Sequence, residues 1–167
     1  MRKIWALPVA LGIFLLDQAT KAMVVRSMSL GEVRPQTSWF SLVHWQNTGG
    51  LFGMLNDLSP VWRTLIFLAL PVAGVALLAY LFLKSRSAVE AVILAGVLGG
   101  AAGNLLDRVR IGAVTDFLYF HVPDGPGWPA FNVADSVLST GIILYLLLSL
   151  RKPPREDIGA PDPVHHR

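Results

Sequence analysis

The sequence predicts an all-α membrane protein, with four transmembrane helices and a small extracytoplasmic β-like cradle in the first outer loop. Three observations predict it. Of the 167 residues, 53% are hydrophobic and only 15% charged, where soluble domains carry about a quarter charged residues. The apolar residues gather in four long runs, and a membrane helix needs about 20 of them to cross about 30 Å of hydrocarbon. The 14 Lys and Arg and 11 Asp and Glu sit in short groups between those runs. That leaves no basic stripe of the kind a nucleic-acid surface needs. Cysteine is absent, which removes thiol nucleophiles, thiolate metal sites and disulfides.

The spans fall at about residues 4–25, 64–83, 88–106 and 134–150. Ile4 to Leu16 carries no charge, and the pattern continues through Asp17 and Lys21 to about Val25. Met1-Arg2-Lys3 before an apolar run resembles a signal peptide, but no small-x-small cleavage site follows, so the segment is read as a retained span. Thr64 to Leu83 is uncharged, with Pro71 and Gly74 expected to kink it. Ala91 to Leu106 is rich in small residues, and Ser136 to Leu150 closes the set. Arg2 and Lys3, Lys84 and Arg86, and Arg151, Lys152 and Arg155 mark the cytoplasmic side. Both termini then lie inside, and the links at about 26–63 and 107–135 face outward. Trp39 to Trp45 reads as a short strand with interfacial aromatics. Residues 1–152 form the membrane domain; 153–167, rich in Pro and charge, is expected to be disordered.

Ionisable groups at a membrane span are costly and mark function by default. Asp17 and Lys21 are four apart on one helical face and can pair, either as a structural ion pair or as part of a site. Gly99, Gly100 and Gly103 suit close helix packing. Asn104, Asp107 and Arg108 on the same exit read either as a cap at the membrane surface or as a polar wall. Asp116 and Asp135 flank the second outer link. The plainer readings are a solvated loop charge for Asp116 and a helix N-cap for Asp135. If the third and fourth helices are neighbours, the two carboxylates can instead meet and share a proton. One then acts as base on a water while the other polarises a peptide carbonyl, with no metal or cofactor.

Other hydrolytic chemistries fit less well. There is no HExxH and no GxSxG. A Ser–Lys dyad would need Lys21 with Ser29 or Ser136, and a Ser–His pair would need His44 or His121. Two non-hydrolytic classes remain. A proton-coupled carrier would use Asp17, Lys21, Asp107 and Asp116 as a relay, but predicts inverted repeats that the chain lacks. A scaffold would explain the glycines and leave the aspartates without a purpose.

Five stretches, in order, resemble the lipoprotein signal peptidase (bacterial signal peptidase II) family. They are Asp17-Gln-Ala-Thr-Lys21, Asn47-Thr-Gly49, Gly99 to Asn104 with Asp107-Arg108, Val114-Thr-Asp116-Phe117, and Phe131-Asn132-Val-Ala134-Asp135-Ser136. The resemblance implies an intramembrane aspartyl endopeptidase of the bacterial inner membrane, active at its outer face. It would cut diacylglyceryl-modified prolipoproteins before the lipidated cysteine and be inhibited by globomycin. Asp116 and Asp135 would be the catalytic pair. Asn104, Arg108, Asn132 and Ala134 would line the site, with Asp107 supporting Arg108. Asn47 and Gly49 would belong to a loop cradling substrate, and Asp17 with Lys21 to a supporting ion pair. Gly50-Leu51-Phe52 departs from the family, which commonly has two alanines before the aromatic.

Overall fold

A computed structural model of the chain describes residues 3–48, 59, 61–62, 65–123 and 125–150. Gly49 to Phe52, the basic residues Arg151, Lys152 and Arg155, and the tail from 153 lie outside the described residues. Four helices long and apolar enough to cross a membrane make a multi-pass protein: Lys3–Ser27, Leu65–Lys84, Ala88–Ile111 and Val133–Leu150. The first opens as a 3-10 turn, Lys3–Ala6, and runs on as α1, Leu7–Ser27.

The second span is not one regular helix. It starts as a π-helical turn, Leu65–Ala69, and becomes α2, Leu70–Lys84. Pro71 therefore stands in the first turn of α2, where its missing N–H costs least. The irregularity lies upstream of the proline, and Gly74 sits inside regular helix with open space around it.

Ser87 starts α3, Ala88–Ile111, by accepting the Glu90 N–H at 3.1 Å, and Glu90 accepts the Arg86 N–H at 2.7 Å. Gly112 ends it at φ 70°, a left-handed stop that suits glycine. The helix outlasts the expected end near 106. Asp107, Arg108 and Arg110 interrupt the apolar run without breaking the backbone pattern.

This third span is the hub, packing against α1, α2 and α4, Val133–Leu150. Over half of its apolar window, 56%, is buried, against 6% for the second span. Its small residues make that possible. A Cβ on Gly99 would run into the Ala10 backbone of α1, and one on Gly100 would lie 3.0 Å from the Ala134 carbonyl of α4. Ala6, Phe82, Ala91, Leu94 and Ala95 form the apolar core between the helices.

At one end of the bundle lies a three-stranded antiparallel sheet, β1 (Val33–Pro35), β2 (Phe40–Asn47) and β3 (Val114–Phe120), in that order. The cradle expected within the first outer loop therefore takes its third strand from the second link. Val114-Thr-Asp-Phe-Leu-Tyr-Phe is β-branched and aromatic, as strands prefer. Its first four residues are all buried, so the alternation that reveals a half-exposed strand is missing. Phe117 packs with Val24 in the last turn of α1 and with Met28 just after it, fixing the sheet to the bundle.

Candidate active site

The N-terminus of α4 organises the site. Asn132, completely buried, is the N-cap, accepting the Asp135 N–H on Oδ1 at 2.9 Å. Asp135 Oδ2 accepts the Asn132 N–H in return, at 3.3 Å. This reciprocal pairing is a capping box with Asn and Asp in the usual roles of Ser and Glu. Asn132, rather than Asp135, is thus the cap. Asp135 keeps Oδ1 for the Asn104 amide, which donates to it at 2.7 Å.

Asn132 also reaches the other carboxylate. Its Nδ2 donates to Asp116 Oδ1 at 2.8 Å, and lies 3.2 Å from Asn104 Oδ1 and 3.3 Å from the Thr115 carbonyl. One asparagine therefore holds Asp116 by its side chain and Asp135 by its backbone. Asp116 is no solvated loop charge: it lies in β3 opposite Trp45 and is 2% exposed. Burial first, then the negative charge of Asp135, pushes its carboxyl up to about 7. Hydrogen bonds from Asn47 and Asn132 pull the other way.

Behind this lies a second acidic pair. Lys21 Nζ is 2.8 Å from Asp17 and 3.2 Å from Asp107, and donates to Asn104 Oδ1 at 2.8 Å. All three ionic side chains are buried, so this is not a surface pair with the lysine reaching for headgroups. Gly103 leaves room for it, since a Cβ there would strike the Asp17 carboxylate. Asp17 Oδ1 accepts the Ala134 N–H at 3.0 Å, and Asp107 Oδ2 accepts the Thr115 N–H at 3.1 Å.

Asp107 turns toward Lys21 and Thr115, while Arg108 donates to the Asn104 carbonyl at 3.2 Å. The negative charge of Asp107 also bears on Arg108. Ala134 contributes its backbone N–H and its small size, against Gly100. Gly49 lies outside the described residues.

Gln18 was not singled out by the sequence reading. Its Nε2 lies 3.1 Å from Asp17 Oδ2, 3.2 Å from Asp107 Oδ1 and 3.2 Å from the Gly103 carbonyl. The available signal was an uncharged polar residue inside a span, beside an acidic one.

The alternative nucleophile pairs fare differently. Among the described residues Lys21 has Asp17, Asn104 and Asp107 as partners and no serine. His44 Nδ1 faces the Met28 carbonyl at 2.9 Å. His121 Nε2 does meet Ser41 Oγ at 2.9 Å, but Ser41 is 1% exposed and the other ring nitrogen faces the Val122 carbonyl. Among the described residues no carboxylate orients that imidazole as a serine hydrolase requires.

The family profile described as Signal peptidase (SPase) II matches residues 9–151. The chain belongs to the signal peptidase II family. It is therefore a membrane peptidase. A protein named lipoprotein signal peptidase from Azoarcus sp. (strain BH72) is 40% identical over 148 residues, 88% of this chain and 83% of that protein. Another of that name, from Desulforapulum autotrophicum, is 42% identical over 139 residues, 80% of this chain and 84% of the other. A solved structure described as "Bacterial membrane enzyme structure by the in meso method at 1.9 A resolution" is similar with TM-score 0.76 and 26% identity. The match covers 89% of this chain and 94% of that one. As a signal peptidase II, the chain needs a hydrolytic centre.

Proposed function

We propose that this signal peptidase II is an aspartyl endopeptidase that removes signal peptides from diacylglyceryl-modified prolipoproteins, cutting just before the lipidated cysteine. The observation that carries the reading is the grip of Asn132 on both Asp116 and Asp135. Two carboxylates held so close share one proton. The ionised one takes a proton from water as the water oxygen attacks the scissile carbonyl, and the protonated one donates to the carbonyl oxygen. Collapse breaks the C–N bond: the leaving nitrogen takes the proton that the base removed from water, and the new carboxyl group returns the other proton to the aspartate that donated it.

An Asp116 carboxyl near 7 suits it to trading a proton at neutral pH. Asn104 and Asn132 fix carboxylate orientation, and Arg108 brings positive charge within reach of both. Asn47, on β2, completes the wall beside Asp116. By the family resemblance, Gly49 belongs to the loop that cradles substrate.

The chain resides in the bacterial inner membrane, with residues 1–152 as its membrane domain, both termini cytoplasmic and the carboxylates at the outer boundary. The basic groups at residues 2–3, 84–86 and 151–155 support that orientation. Acyl chains of the substrate then enter sideways from the bilayer while water enters from outside. Exposed Trp39 and Trp128 suit the headgroup zone beside the site. Globomycin is the expected inhibitor.

Cleavage of a diacylglyceryl-modified precursor by the reconstituted protein tests the reading. Asp116→Asn and Asp135→Asn should each lower turnover by at least about a thousandfold, while insertion and purification stay normal. Substantial activity in either variant refutes the dyad.

A further inference from the structure

The backbone N–H immediately before each proposed catalytic aspartate is held by a carboxylate of the second acidic pair. Asp17 takes the N–H of Ala134, next to Asp135, and Asp107 takes that of Thr115, next to Asp116. The two clamping carboxylates come from different helices, α1 and α3. They are joined by two bridges, the Lys21 ammonium and the Gln18 amide. All three groups around Gln18 Nε2 are acceptors, so only one orientation of its amide fits.

We propose that Gln18 is a positioning residue: with Lys21 it ties Asp17 to Asp107, and through their two backbone clamps it sets the separation of Asp116 and Asp135. The inference rests on the aspartyl reading above. Lys21 supplies the charge that lets both clamping carboxylates stay buried. Gln18 shares its two N–H donors among both carboxylates and the Gly103 carbonyl, which fixes α1 against α3 at this level. Without that amide the two carboxylates repel across the lysine and spread, carrying Thr115 and Ala134 with them. A displacement of an ångström is enough to impair proton exchange through a shared water.

The test compares wild type, Gln18→Met, Gln18→Glu and Asp116→Asn in the reconstituted cleavage assay, with full pH profiles. Methionine keeps the length and removes the donors. Gln18→Met should lower kcat roughly tenfold to a hundredfold with KM within about twofold of wild type. The upper limb of its pH profile should shift to lower pH, since carboxylates farther apart repel less. Gln18→Glu, which adds a third carboxylate, should lose more. If Gln18→Met purifies poorly, Asp107→Asn is added, because it removes the repulsion and supplies a donor toward Asp17; kcat should rise above that of the single variant. Wild-type kcat and pH profile in Gln18→Met overturn the proposal, as does a double variant with no recovery. Activity in Asp116→Asn overturns the catalytic reading instead, whatever Gln18 does.

Discussion

Two pairs of carboxylates, all buried except the half-buried Asp135, lie side by side in this protein, and what separates the members of each pair differs. Between Asp17 and Asp107 stands the Lys21 ammonium. Between Asp116 and Asp135 stand the neutral amides of Asn104 and Asn132. A cation between two acids favours the charged form of both, whereas an amide orients a carboxylate and leaves its proton free to exchange. The first pair holds backbone, and on the proposed reading the second does the chemistry. Burial alone does not distinguish them, since Asp17 and Asp116 are both nearly inaccessible. The intervening group does.

That contrast can be broken at several points, beginning with the loss of turnover on converting either Asp116 or Asp135 to Asn. The next largest effect falls on folding. Lys21→Met leaves two carboxylates buried without their cation, and should cost about 3–5 kcal/mol. It is read as loss of monodisperse protein or a lower unfolding temperature in detergent. Adding Asp107→Asn should restore part of that stability. If Lys21→Met proves as stable as wild type, the first pair is not held by charge.

Asn132→Ser separates capping from bridging. Serine caps a helix about as well as asparagine, so stability should change by less than about 1 kcal/mol. The amide donor to Asp116 is lost, and kcat should fall by about a hundredfold. Unaltered turnover would make Asn132 a cap alone.

The smallest effect is one of pH. An Asp116 carboxyl raised from 3.8 to about 7 means that the folded state binds this proton more tightly than the unfolded chain does. Its contribution to stability is complete below about pH 4 and is lost as pH rises through about 7. Wild type should therefore lose thermal stability between pH 5 and pH 8, by roughly the window that linkage sets, and Asp116→Asn should lose less over the same interval. Parallel curves for the two proteins would mean that Asp116 is not the raised group.

Much of the site was legible because its residue types are out of place in hydrocarbon. Asp17, Lys21, Asn104, Asp107 and Asp135 all lie on spans that are otherwise apolar. Gln18 and the direction in which Asp107 faces were not legible. A helix shows which residues share a face, but not which neighbour that face meets. The strand carrying Asp116 was hidden for a related reason, since burial of Val114 through Phe117 erased its alternation.

By itself the sequence determined the four spans, the small-residue face of α3 and the identity of the acids, because hydropathy, helical period and side-chain size are local properties of the chain. Tertiary structure alone decided that Asp107 joins Asp17 at the lysine and that Asp116 and Asp135 meet asparagines. The contacts that hold this arrangement link residues up to 117 apart, as with Asp17 and Ala134. Only the close approach of α1 and α4 to the glycines of α3 brings them within hydrogen-bonding distance.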